Sequence, residues 1–384
     1  MRALTTSLFG VLAGLYLANV GISARDVGLV LAAGLAGAAV AATIATFAAD
    51  RVGRRRFLLA ASGLSVVGTV AFALASDPAV LAVAAFVGML NGMGRDRGVA
   101  LVLEQAALPS TTTDRGRTRV IAVYTMLQDL GHATGALLAG APTLIERRWA
   151  FTGVAAQRAT LLGCAAAGIV VLVLYARLGE VIERGRGASG VRVSPATRGI
   201  LVRISALFAL DGLGGGFLTT AMLAYFFFER FGAREDLVGA LFFGARLMNA
   251  LSHLAAARLA KRIGLVNTMV FTHVPSSLLL VTVAFAPSFP VAAVLFLLRE
   301  GLVEMDVPTR QSYVFAVVAP EERTTASGVT NLVRLAAWAI APAFAGALST
   351  TSLFVPLVIG AGMKIGYDAL LYIAFRSVRP PEER

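Results

Sequence analysis

Residues 23–53 read SARDVGLVLAAGLAGAAVAATIATFAADRVG, and residues 233–264 read AREDLVGALFFGARLMNALSHLAAARLAKRIG. Each opens on charge, runs apolar, and closes on a basic residue and a glycine. A helix rises 1.5 Å per residue, so about 20 mainly apolar residues cross a bilayer core. Both stretches are long enough. They also match position by position: Gly28 with Gly239 and Gly53 with Gly264, each 211 residues apart. Further on, Glu104-Gln105 matches Arg310-Gln311, Arg117-Thr118 matches Arg323-Thr324, and Gly140 matches Gly346, all 206 apart. A five-residue change in loop length reconciles the two offsets. Polar positions repeat along with apolar ones, so duplication explains the match better than similarity between oily segments. Repeated halves are the mark of a transporter with its site at the interface between them.

Outward from these stretches, the same reading gives twelve spans: 3–21, 27–49, 57–75, 79–108, 118–142, 151–178, 200–228, 236–259, 265–286, 289–319, 324–348 and 353–375. The polar segment 180–199, GEVIERGRGASGVRVSPATR, reads as a cytoplasmic linker. Residues 1–179 and 200–384 are then two six-helix bundles. The composition agrees. Of 384 residues 57% are hydrophobic and only 15% charged, against roughly 25% charged in soluble domains. This excludes a soluble enzyme, a nucleic-acid-binding module and a disordered chain. The formal charge of +12 reflects membrane topology, because the basic residues cluster in short loops. Odd-to-even loops carry 6 basic residues, against 21 in the termini and the other loops. That asymmetry puts both termini in the cytoplasm. The single cysteine, Cys164, allows no internal disulfide and no cysteine metal pair. His132, His253 and His273 are scattered, so no histidine metal site is expected, and each reads as a satisfied core residue.

Residues 47–56, FAADRVGRRR, resemble the loop signature of the major facilitator superfamily between its second and third helices, G-x-x-x-D-R/K-x-G-R-R/K. Asp50, Arg51, Gly53, Arg54 and Arg55 fit, with Thr46 in place of the leading glycine. In the second half Lys261-Arg262-Ile263-Gly264 keeps the basic residue and the glycine but lacks the acid. The resemblance implies an all-α membrane fold of two pseudo-symmetric six-helix bundles, and a loop that locks one conformation. Asp50 is suited to sit against the positive N-terminus of a neighbouring helix, with the arginines at the cytoplasmic surface. The proton-coupled pattern R-x-x-x-G finds only Arg95-Asp96-Arg97-Gly98, and the glycine-rich antiporter pattern finds Gly131, Gly135, Gly140 and Pro142 at different spacing.

With the residues counted in the loops and at the span edges set aside, fifteen charged residues remain inside the expected spans. A charge at the bilayer centre costs roughly 2.5–3.5 kcal/mol on the insertion scale, so these residues line a cavity or pair with one another. On the fourth and tenth spans, Arg97 with Glu104 and Arg299, Asp306 and Arg310 form stripes near the inner end; Glu304 belongs to the same gating network. Glu104 and Arg310 are repeat mates of opposite sign and are expected to pair across the two halves in one transport state. Lys364 and Asp368 are an i,i+4 pair. Asp211 lies mid-span beside Gly212, Gly214, Gly215 and Gly216, where unwinding or close helix contact is possible. A partly dehydrated carboxylate there is suited to carry a proton; Asp129 and Glu104 are the other candidates. Tyr124, Gln128 and His132 on the fifth span, with Asn331, Arg334 and Trp338 on the eleventh, are candidates for the substrate cavity.

The expected function is secondary active transport of a small solute by alternating access, driven by protons. Efflux across a bacterial plasma membrane is the first expectation and rests on the resemblance. Proton-coupled uptake of a small anionic or zwitterionic metabolite is the alternative. No G-x-x-x-x-G-K-[ST] loop is present, and no cofactor, nucleic acid or second copy is expected. A membrane enzyme would need a nucleophile–base or metal cluster, and a non-transporting sensor would need a larger soluble segment.

Overall fold

The computed structural model describes residues 1–96, 98–108, 117–179, 183, 194–305, 318 and 322–375. Among these the regular elements are all helices: α1 Arg2–Asn19, α2 Ala24–Val52, α3 Arg54–Leu74, α4 Pro78–Gly88, α5 Val99–Ala107, α6 Arg117–Leu138, α7 Ala141–Trp149, α8 Gly153–Ala176, α9 Pro195–Phe217, α10 Thr220–Phe231, α11 Glu235–Ile263, α12 Leu265–Ala284, α13 Phe289–Val303, α14 Arg323–Ser349 and α15 Val355–Phe375. Among the described residues, eight helical stretches are long and apolar enough to cross a membrane. Their outer faces carry large apolar side chains in the open, such as Phe47, Val67, Phe271 and Ile373, as suits contact with lipid rather than water.

Two expected spans are interrupted. The fourth, 79–108, is α4 and α5 with non-helical backbone between them. The seventh is α9 and α10, broken at Leu218–Thr219. Freed backbone groups at membrane depth need partners, and the two breaks supply them to each other. The Ala221 N–H donates to the Gly92 carbonyl at 3.0 Å, and the Thr220 hydroxyl to the Met93 carbonyl at 2.8 Å. Asn91 completes the turn, donating to the Arg95 carbonyl and accepting from the Met93 N–H. Most of the expected linker 180–199 lies outside the described residues.

The chain forms two compact units. The first comprises Met1–Ala188, Thr219–Phe243 and Pro342–Thr350, and the second Ser189–Leu218, Gly244–Ala341 and Thr351–Arg384. In the first unit α1 packs on α6, α8 and α10, α2 on α4, and α3 on α8. Its buried apolar residues include Ala45, Leu58, Leu103 and Val171. In the second, α12 packs on α13 and α15, and α15 on α9, around Phe208, Met269, Tyr367 and Leu371.

The repeat is visible in backbone geometry. Gly53 and Gly264 occupy equivalent places, each at the N-cap of the next helix, with φ of 106° and 85°. That is the left-handed side of the map, where a β-carbon strains the chain. The second repeat is a pair of helix crossings within the first unit. A β-carbon on Gly28 of α2 would lie 2.3 Å from the Pro342 carbonyl and 2.7 Å from Cα of Gly346 on α14. A β-carbon on Gly239 of α11 would lie 2.9 Å from the Ala136 carbonyl and 3.1 Å from N of Gly140. Gly28 and Gly239 are repeat mates, and so are Gly346 and Gly140. One contact is therefore built twice.

In the second unit the start of α9 is fastened to the start of α14. The Glu322 carboxylate accepts from the Ser194 N–H at 2.6 Å and from its hydroxyl at 3.3 Å. Hydrogen bonds from the Thr197 hydroxyl and from the Ser194 backbone hold the Glu322 carboxyl below its ordinary range. A carboxyl depressed in the folded state stabilises the fold above its unfolded value, and the contribution disappears as pH falls through the folded value. The protection factor of the Ser194 amide, its exchange relative to an unstructured peptide at the same pH, is thus expected to be high at neutral pH and to fall only below the usual carboxylate range. In Glu322→Gln the protection factor should be lower and should change little with pH.

Candidate functional site

The second unit holds a buried chain of charged groups on four helices. Asp211 lies mid-helix on α9 and is 2% exposed. Its glycine neighbours let other helices come close: a β-carbon on Gly212 would meet Ala337 at 2.8 Å, and one on Gly214 would meet Lys364 at 3.1 Å. Of the two roles the sequence allowed this cluster, the structure takes close contact, and α9 stays helical to Phe217. The Arg334 guanidinium on α14 donates to one Asp211 oxygen at 3.0 Å, and the Lys364 ammonium on α15 to the other at 3.0 Å. Arg334 also lies over the Trp338 ring, 4.7 Å from its centroid.

The chain continues through His273 on α12. Its Nε2 is 3.3 Å from Lys364 Nζ, and its Nδ1 is 3.0 Å from each Asp368 oxygen. The Tyr367 ring meets it edge-on. His273 and Asp368 are 1% and 0% exposed. Lysine has no lone pair to offer, so Nε2 accepts from Lys364, and Nδ1–H donates to Asp368. With Lys364 charged, the network assigns the ring proton to Nδ1. Two carboxylates and two cations then sum to zero, as a low-dielectric interior requires. Lys364 and Asp368, expected as an i,i+4 pair, instead reach Asp211 and His273, and His273 joins them.

The first unit carries another cluster. Arg2, at the start of α1, forms ion pairs with Asp96 and Glu104 and lies 3.3 Å from the Tyr124 hydroxyl. The Tyr124 and Tyr175 hydroxyls donate to Glu104. Gln128 reaches Tyr124 at 3.1 Å. His132 Nε2 accepts the Asp96 N–H at 3.0 Å, tying α6 to the broken span. Three expected cavity residues, Tyr124, Gln128 and His132, are therefore joined to Glu104, and the partner the sequence did not point to is Arg2.

Asp129 is exposed on α6, among the exposed Met126, Leu127 and Leu130. Asn331 is exposed on α14, while Trp338 is buried. Glu304 caps the end of α13. Arg97, Asp306 and Arg310 lie outside the described residues, and with them the expected Glu104–Arg310 pair. In the conformational loop, the Asp50 side chain also lies outside the described residues. The N-terminus of α3 is capped by Glu183, whose carboxylate accepts the Arg54 and Arg55 N–H groups at 2.7 and 2.9 Å. The Arg55 side chain reaches the Ala176 carbonyl. Only the negative charge in the segment 180–199 hinted at that partner. No group of metal-ligating side chains occurs among the described residues.

An all-helical bundle with broken spans and buried, mutually neutralised charges is the architecture of a multi-pass membrane transporter. The model of the Major Facilitator Superfamily matches residues 1–342, and the chain belongs to that family. It has the family's twelve-helix fold of two six-helix bundles, and it is a secondary transporter rather than an enzyme. An uncharacterized membrane protein of Saccharomyces cerevisiae is 23% identical over 98% of this chain and 92% of its own. Among solved structures, the nucleoside transporter NupG superposes with a TM-score of 0.75 at 13% identity, covering 98% of this chain and 97% of its own. A D-xylose-proton symporter does so with 0.73 at 14% identity, covering 100% and 98%.

Proposed function

We propose that the chain is a proton-coupled transporter exporting a small solute across a bacterial plasma membrane, as a monomer with both termini in the cytoplasm. The observation that carries the coupling is His273 held between Lys364 and Asp368. A proton arriving at Nε2 turns a lysine–histidine hydrogen bond into two like charges 3.3 Å apart. At an effective dielectric constant of about 20, that repulsion is of order 5 kcal/mol. Lys364 is pushed away while Asp368 draws the imidazolium closer. The proton thus shifts α15 relative to α12 and α9, which is a packing change a bundle can pass on. Asp211 keeps two cations beside it and serves as the fixed anchor. Among the relatives, a proton symporter shares this fold. The direction of transport rests on the family resemblance.

The test is flux in proteoliposomes, using a solute found by thermal-shift screening. Acid outside should drive solute out of loaded vesicles; acid-driven entry instead would establish uptake. His273→Gln keeps a neutral polar group without a titratable nitrogen. It is expected to abolish movement driven by the pH gradient while retaining solute counterflow. Gradient-driven transport in His273→Gln at the wild-type rate would overturn the coupling.

A further inference from the structure

A cavity lined wholly by residues of the first unit lies beside the broken fourth span. Its volume is about 120 Å³, room for roughly four waters at ~30 Å³ each. One wall is a stripe of hydroxyls on α3, Ser62, Ser65 and Thr69, and Thr5 and Thr6 of α1 add two more. Arg2 and Asp96 also line it, their side chains 17% and 6% exposed. Asn91 and Cys164 line it too, and the remainder is apolar or glycine, with Phe9, Leu90 and Val99 among its residues. Non-helical backbone at membrane depth persists where it lines a wet cavity or is buried in protein, and residues 89–91 and 96 are such backbone.

We propose that this cavity binds a small zwitterion, about the size of the smallest amino acids. A guanidinium and a carboxylate side by side can each take one end of such a solute: the carboxylate replaces Asp96 on Arg2, and the ammonium replaces Arg2 on Asp96. A simple anion would leave the buried Asp96 without a cation, the costly arrangement, and a simple cation would leave Arg2 on Glu104 alone; a zwitterion supplies a partner to both members of the parted pair. The hydroxyls offer both donors and acceptors to a solute backbone. This site rests on the first unit alone and is independent of the proton network.

Cys164 provides the test, because it lines the cavity and is the only cysteine in the chain. Methyl methanethiosulfonate should label it in the purified wild-type protein. Alanine at ten times its dissociation constant should slow labelling about tenfold by mass action. Acetate, methylammonium and glycerol at the same concentration should leave the rate unchanged. Ser62→Leu, which fills the hydroxyl wall, should remove the protection. Protection by glycerol equal to that by alanine would mean a neutral polyol site and overturn the proposal. A Cys164 that reacts equally with every solute present, or the absence of alanine binding by calorimetry if the buried thiol does not react, would overturn it as well. The readout is a labelling rate, so it is unaffected if proton coupling fails.

Discussion

Asp211→Asn is expected to destabilise the purified transporter by about 3–5 kcal/mol, the cost of removing one partner from a buried ion pair. Asp211 answers two cations at once, at 3.0 Å each, and asparagine leaves Arg334 and Lys364 with a neutral neighbour. A drop in melting temperature in detergent is the measurement. Adding Lys364→Met should restore most of the loss, because Arg334 and Asp368 then balance in charge and methionine occupies a similar volume. The double variant should still lack gradient-driven transport, because the link from Asp211 to His273 is gone. Equal stability of Asp211→Asn and wild type would show that water reaches the carboxylate and that the network is not a buried one.

The second large effect concerns helix crossings. Gly28→Ala forces a β-carbon to 2.3 Å from the Pro342 carbonyl, a backbone atom with little freedom to move. Overpacking of this kind costs about 1–3 kcal/mol. Gly239→Ala meets its nearest backbone at 2.9 Å and should cost less. Gly63→Ala, with nothing within 4 Å, should be neutral or slightly stabilising. The expected order of thermal stability is Gly63→Ala, Gly239→Ala, Gly28→Ala, from highest to lowest. An unchanged Gly28→Ala protein would mean that the α2–α14 crossing is looser than these distances require.

The spans and the repeat were legible because they depend on local chemistry. Length and apolarity announce a membrane helix, and a glycine that must adopt positive φ or admit another backbone cannot easily be anything else. Gly53, Gly264, Gly28 and Gly239 are such positions. The partners of charged groups were less legible. Arg2 read as a topology marker, yet it is joined to Asp96, Glu104 and Tyr124. His273 read as a satisfied core histidine, and it is satisfied, but by Lys364 and Asp368, 91 and 95 residues away. Glu183 read as linker and caps α3 instead. Helical periodicity ranks partners on one helix and says nothing about those on another, so Lys364 and Asp368 were matched to each other. The break after Gly88 was hidden in the same way. Asn91, Gly92, Gly94 and Gly98 are turn formers, but continuous apolar runs on both sides outweighed them.

The twin glycine crossings bear on how such a chain tolerates change. Each is a bare-backbone seat in which two helices rest without side chains between them, so parting and reseating them requires no side-chain repacking. Such seats act like a pair of matched bearings: wear at one, even a single added methyl, would be expected to skew the stroke of both. Natural variation should therefore collect on the lipid-facing sides of α2 and α11 and spare the four glycines.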